Sequence, residues 1–374
     1  MKRFLVKIKN LLFCGVFGLK MFFLRNKKND VILCFDCLYD INQESIDAFS
    51  LFLELQKNKI PSKYIALENC ASCEKIKNYS DVIYVKNRWD FVFRYSSLIA
   101  SSRAILTSYG LLCGLDKIIK SISSNYIFIE HGVIFHQEFI DNLYSCDNFN
   151  KILVPTKYTY DLYKKNNSWS DDQMILSGLP RWDRLSTLKS NKSIFVFLTW
   201  RKAFLDKKAD IANYFSLISS FLALLSDAIP EKVEIAFAWH HEVYRKTEHL
   251  PKLNPRIKFV KPNEISYCIQ NSNLLVTDYS SIFWDYFYQN KPVVFYNPIS
   301  CNFNETDVKI ESKFLEFSKN IYNVFEDQKF AIDKILFYIN NDFNLEKEFV
   351  LLNDSLFWSK TNNSKMLIDN IIKK

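Results

Sequence analysis

The sequence predicts an α/β protein built from two doubly wound parallel sheets, one after the other. Three observations carry this. Short apolar runs recur along the chain with helix-length spacers between them. A polar stretch, Arg184 to Lys192, interrupts that series near its middle. Polar side chains stand directly after the apolar runs in both halves, where open α/β sheets bind their ligands.

The first series of strands reads Val31–Phe35, Tyr64–Leu67, Val82–Val85, Ala104–Thr107, Tyr126–Ile129, Ile152–Val154 and Met174–Leu176. A helix with core spacing through Ile46, Phe49, Phe52 and Leu53 covers 43–57, and Pro155-Thr156 is a helix entry. The second series reads Ile194–Leu198, Val233–Ala238, Ile257–Val260, Leu274–Val276 and Val293–Phe295, with its longest helix over 209–226. The last stretch, from about residue 330, reads as helical. This places one Rossmann-like domain at 29–187 and a second at 188–374.

The most informative stretch is Leu274 to Tyr296. It reads strand, turn, helix, turn, strand, with Thr277-Asp278-Tyr279-Ser280-Ser281 as the first turn. Ser280 or Ser281 is expected to cap the helix that carries Asp285, leaving a helix start suited to phosphate. Glycine is scarce, six in all with none after Gly178, which excludes a glycine-rich phosphate loop from the second half.

The net charge of +8 is concentrated at one end. Residues 1–28 hold Lys2, Arg3, Lys7, Lys9, Lys20, Arg25, Lys27 and Lys28 and no acid. With those eight set aside from the 49 lysines and arginines, 41 remain against 41 acidic residues. A neutral body argues against a nucleic-acid binder. The apolar run from Leu11 to Leu24 is shorter than the ~20 residues a spanning helix needs, and it lacks a signal-peptide cleavage site. On a helix, the charges occupy an arc of about 160°, with Phe4, Ile8, Leu11, Leu12, Leu19, Phe22 and Phe23 opposite. That pattern predicts a helix lying on an anionic membrane surface, the alternative being a helix docked on its own domain or on a partner.

Polar groups follow five strands: Glu130-His131-Gly132, Ser177-Gly178-Leu179-Pro180-Arg181-Trp182-Asp183, Thr199-Trp200-Arg201, Trp239-His240-His241-Glu242 and the Thr277–Ser281 turn. Each is weak alone; together they suggest a site. Metal chemistry finds little support. There is no Asp-x-Asp, and no second His at zincin spacing from His241. Cys34 and Cys37 with Cys70 and Cys73 admit a zinc reading, but reduced thiols are the simpler one.

Taken in order, His131-Gly132, Gly178 to Asp183, Thr199 to Arg201, His240 or His241, and Thr277 to Ser281 with Asp285 and Lys291-Pro292 give a resemblance to a family. The chain resembles the CDP-glycerol glycerophosphotransferases of teichoic acid and capsule synthesis, from about residue 100 to about 300. The resemblance implies a GT-B architecture, two Rossmann-like domains facing across a cleft. It implies transfer of a polyol phosphate, glycerol phosphate first among them, from a CDP-activated donor to a hydroxyl of a lipid-linked polysaccharide or polyol-phosphate acceptor. CMP is released, no cofactor is required, and the enzyme works peripherally at the cytoplasmic face of the membrane. His131 is then the general base, and His240 or His241 contacts the donor pyrophosphate. Ser280, Ser281 and Arg181 bind donor phosphates, and Asp278 orients a histidine or donor hydroxyls. Gly132, Asp183, Thr199, Arg201, Thr277 and Asp285 complete the substrate-binding set. Two departures stand out: Val133-Ile134-Phe135-His136 where teichoic acid members often carry Thr-Pro-Leu-Lys, and Glu242 where proline usually follows the second histidine. Two other readings stay open. One is a GT-B glycosyltransferase that moves a sugar; the other is a membrane-bound scaffold without turnover.

Overall fold

The structure is a computed structural model that describes residues 2–24, 29–41, 46–70, 72–133, 145–165, 169–187, 192–199, 211–240, 243, 253–297 and 324–372. The chain divides into two compact units, the first built on Met1–Gly132, Gln137–Asp183 and Trp358–Lys374, the second chiefly on Arg184–Phe357.

The first unit holds helices α1 (Lys2–Leu24), α2 (Asp47–Lys57), α3 (Cys73–Ile76), α4 (Arg88–Arg94), α5 (Ser96–Ser101), α6 (Leu115–Ile122) and α7 (Lys157–Lys165). Its strands are β1 (Ile32–Phe35), β2 (Ser62–Leu67), β3 (Val82–Val85), β4 (Ala104–Thr107), β5 (Tyr126–Phe128), β6 (Lys151–Val154) and β7 (Met174–Leu176). They form one parallel sheet in the order β3-β2-β1-β4-β5-β6-β7. Ile32, Leu33, Cys34 and Phe35 are all buried, which is why β1 reads as an unbroken apolar run instead of alternating. The order reverses between β1 and β4, so this sheet has its switch point at the carboxyl ends of those two strands.

The second unit repeats the plan. Its strands are β8 (Ser193–Leu198), β9 (Glu234–Trp239), β10 (Ile257–Phe259), β11 (Leu274–Thr277), β12 (Val293–Tyr296) and β13 (Val324–Phe325). All are parallel, in the order β10-β9-β8-β11-β12-β13, with the reversal between β8 and β11. Its described helices are α8 (Ile211–Ala228), α9 (Ile265–Asn271), α10 (Phe283–Tyr288), α11 (Gln328–Asn340) and α12 (Lys347–Leu356). Phe221, Leu222 and Leu225 of α8 and Ile335 and Tyr338 of α11 share one core with Ile194, Val196, Val276 and Val294 of the sheet. Arg256 donates to the carbonyls of Ser226, Ile229 and Pro230, satisfying the end of α8. Strand β13, of two residues, is too short to register in the sequence pattern.

The strand positions follow the sequence reading closely, but one domain assignment changes. Residues Trp358–Lys374 belong to the first unit, not the second. They carry helix α13 (Asn363–Ile372), and the reason is local. The Asp183 carboxylate accepts from Asn363 N at 2.8 Å, Asn363 Nδ2 at 2.9 Å and Ser364 N at 2.7 Å. It thereby caps the otherwise unpaired first turn of α13. Ser177 Oγ donates to Asn363 O and Trp358 Nε1 to Val154 O, holding the same segment.

Helix α1 packs on its own unit through a stripe the sequence reading did not single out. Phe13 meets the rings of Trp89 and Phe93 at 5.3 and 5.6 Å, Phe17 and Met21 are buried, and Lys20 Nζ donates to Phe93 O. Leu11, Leu12, Val16, Leu19, Phe22 and Phe23 stay exposed, Phe23 by 80%. The helix is therefore docked on its own domain and leaves an apolar face outward. Within the described residues, no helix is long and apolar enough to cross a membrane.

Candidate active site

His131 lies just past the carboxyl end of β5 and is exposed, while Gly132 after it is buried. The chain turns at Glu130, whose φ is +55°. His131 Nδ1 sits 3.1 Å from the carbonyl oxygen of Ser108. A carbonyl can only accept, so Nδ1 carries the proton and Nε2 of the neutral ring keeps its lone pair. The Tyr109 ring stacks on the imidazole, centroids 4.2 Å apart and planes 17° from parallel. An imidazole held on one face and one edge, with Nε2 able to accept, has the form of a general base.

Ser108 is itself fixed. Its hydroxyl donates to Asp36, which follows β1 and also accepts from Tyr64 OH at 2.8 Å, Ala48 N at 3.1 Å and Phe49 N at 3.2 Å. Burial pushes the Asp36 carboxyl up, against those four hydrogen bonds that pull it down. The Asp36–Ser108 contact thus spans the switch point between β1 and β4. Arg181 also belongs to this neighbourhood. It is nearly buried, pairs with Asp47 on α2, and donates from Nη1 to the His131 carbonyl at 3.3 Å.

The second unit uses the same device at its own switch point. Asp278, after β11, accepts from Thr199 N at 3.0 Å and Thr199 Oγ1 at 2.8 Å, and Thr199 follows β8. Thr277 Oγ1 donates to Phe197 O at 2.6 Å, pinning the same two strands. Asp278, Thr277 and Thr199 therefore come together as one cluster. His240 follows β9, with its ring 6.0 Å from that of Phe197.

The serines behave differently from the expectation. Helix α10 begins at Phe283 after Ile282, and no side chain caps it. Phe283 N and Trp284 N instead donate to the backbone carbonyls of Ser280 and Ser281, both at 3.2 Å. Turn bonds from the serine carbonyls have taken the first N–H groups, so neither hydroxyl is used as a cap. Asp285 is buried within the six-residue α10. Lys291 stands before the start of β12, at the end of the sheet away from the switch point. Its Nζ donates to Gln270 O at 2.9 Å, and burial pushes its pKa down to about 8.

His241, Arg201 and His136 lie outside the described residues. Asp183 spends its carboxylate on α13. Of the cysteines, Cys34 is buried in β1, with its thiol pushed up by burial, and Cys70 and Cys73 lie beside each other. Among the described residues no group of three or more His, Cys, Asp or Glu is arranged to hold a metal ion. Asp36, Ser108, Tyr109 and Asp47 escaped the sequence reading. An acid directly after the first apolar strand was the available sign for Asp36.

The family model described as CDP-Glycerol:Poly(glycerophosphate) glycerophosphotransferase matches residues 20–307. The chain belongs to this family. Among curated proteins, the minor teichoic acid biosynthesis protein GgaB of Bacillus subtilis (strain 168) is 22% identical over 346 residues, 85% of this chain. The chain spans 37% of the length of GgaB. Among solved structures, a variant of the wall teichoic acid polymerase TagF soaked with CDPG aligns over all of this chain and 96% of its own, at 15% identity and a TM-score of 0.68. That likeness shows the GT-B fold. A UDP-N-acetylglucosamine 2-epimerase from Listeria monocytogenes, described as putative, aligns over 93% of this chain and 97% of its own, at 11% identity and a TM-score of 0.60.

Proposed function

We propose that this chain transfers glycerol phosphate from CDP-glycerol to a hydroxyl of a lipid-linked acceptor in teichoic-acid-like or capsular polymer synthesis, with release of CMP. The observation that carries this reading is the state of His131: exposed, stacked on Tyr109, and bonded through Nδ1 so that Nε2 accepts. Attack of a hydroxyl on phosphorus requires that proton acceptor within hydrogen-bond reach, and histidine is suited to it near neutral pH. On the donor side, the Thr199–Asp278 cluster and the Ser280-Ser281 turn lie at the switch point of the second sheet, where α/β sheets take their ligands. The Ser280 and Ser281 hydroxyls, with His240 or His241, stabilise the charge that grows on departing CMP. No cofactor enters the scheme.

Association with the cytoplasmic face of the membrane is part of the proposal. Its support is the outward apolar face of α1 beside a cationic first segment, the combination that binds anionic interfaces. The test is incubation with a panel of CDP-polyols and a lipid-linked acceptor, followed by nucleotide analysis. CMP from CDP-glycerol is expected. A nucleoside diphosphate released from a nucleotide sugar, with CDP-polyols untouched, would replace this reading with sugar transfer.

A further inference from the structure

We propose that Glu130 and Tyr163 form a positioning pair for His131, one that sets where the imidazole points without touching the reacting atoms. The inference rests on the reading of His131 as general base. Glu130 is unusual on two counts. Its side chain is fully buried, 0% exposed, in a place where an apolar residue would cost less. Its backbone is left-handed at φ +55°, a conformation that a residue with a Cβ adopts only at a steric cost and that glycine adopts freely. A buried charge-bearing side chain on a strained backbone persists only where its surroundings hold it, and such strain gathers at functional sites.

What holds it is Tyr163. The Tyr163 hydroxyl donates to Glu130 Oε1 at 2.5 Å, and Tyr163 is itself completely buried on α7. Helix α7 is fixed in turn, since Thr156 after β6 accepts from Thr159 N at 3.0 Å and so caps its start. The rigid path runs from β6 through α7 and Tyr163 to Glu130, and Glu130 is covalently next to His131. The left-handed turn is what brings the ring over Tyr109 and Nδ1 to the Ser108 carbonyl. Releasing the tether frees the turn, and the ring loses the bond that fixes its tautomer.

Glu130→Gly separates positioning from packing. Glycine accepts the backbone conformation without strain, so a purely structural glutamate predicts a variant that loses stability, because Tyr163 is left unpaired beside a cavity, but keeps its kcat and its His131 tautomer. Positioning predicts a folded variant whose kcat for CMP release falls roughly 10- to 100-fold, the scale of a catalytic group displaced by about 1 Å. KM for CDP-glycerol is expected to stay unchanged. Nitrogen-15 spectra of labelled histidine should show His131 as the Nδ1–H tautomer in the wild type and as a mixture in Glu130→Gly. Tyr163→Phe, which removes one oxygen, should shift the spectrum and kcat the same way and serves if the glycine variant does not fold. Wild-type tautomer and wild-type kcat in the folded variant overturn the proposal. If the wild type releases no CMP, the functional reading falls, and the tautomer comparison alone decides whether Glu130 positions the ring.

Discussion

At the scale of single residues, the buried groups fall into partnerships that each make a prediction. Arg181 and Asp47 form an ion pair with both side chains nearly out of solvent. Removing one partner leaves the other charged and unpaired, a loss of about 3–5 kcal/mol. Arg181→Ala should lower the unfolding free energy from denaturant titration by that amount, and adding Asp47→Asn should recover part of it. Lys291 makes a pH prediction. Its pKa is about 8 in the fold, against 10.5 for an ordinary lysine, because burial disfavours the charged form. The unfolded chain therefore binds more protons between those values, and stability from this group rises with pH from 8 to 10.5. A Lys291→Met variant should lack that rise when melting temperature is followed across the window. The sequence led to His131, Thr199 and Asp278 because each stands just past an apolar run. Asp36 stands the same way, yet its partner Ser108 is 72 residues off, and Asp47 is 134 residues from Arg181. Those pairings depend on strand order, which no local pattern contains.

At the scale of elements, the Gly178-Leu179-Pro180 run is an architectural joint. A Cβ on Gly178 would lie 2.4 Å from Asn363 Oδ1 and 2.8 Å from Trp182 Cε3. Gly178 N also donates to that same Asn363 oxygen at 3.1 Å. Gly178→Ala should thus displace the start of α13 and destabilise by about 1–3 kcal/mol, the usual range for overpacking. Thermal unfolding would check this, with Asn363→Ala as a companion that makes room for the methyl group. The β-strands were legible because parallel strands buried on both faces leave continuous apolar runs. Helix starts were less so. Nothing local distinguishes a serine that caps from one whose carbonyl closes the turn, as Ser280 and Ser281 do.

At the scale of the whole molecule, the two units share one scheme: an open parallel sheet, a reversal of strand order, and an aspartate paired across it with a hydroxyl. Helix α1 adds a surface to the first unit. Its two faces divide the expected effects of mutation. Phe13, Phe17 and Met21 hold the helix down, so deleting the segment would expose Trp89 and Phe93 and confuse binding with folding. Leu12→Asp with Phe23→Asp changes only exposed side chains. This variant should keep its melting temperature yet move from the pellet to the supernatant with anionic vesicles. Equal sedimentation of the two proteins would remove the case for a membrane-facing helix. Sequence periodicity found that apolar face; it missed the docking stripe because Phe13, Phe17 and Met21 fall on the side of the helix that also carries the charges.

The central claim is that His131 Nε2 takes the proton from an acceptor hydroxyl during phosphoryl transfer from CDP-glycerol. The most direct measurement is steady-state CMP release by the wild type and by His131→Ala, with donor affinity measured on the same samples. The account predicts a fall in kcat of about 10²–10⁴, with the dissociation constant for CDP-glycerol and the melting temperature near wild type. A His131→Ala protein that releases CMP at the wild-type rate would contradict it.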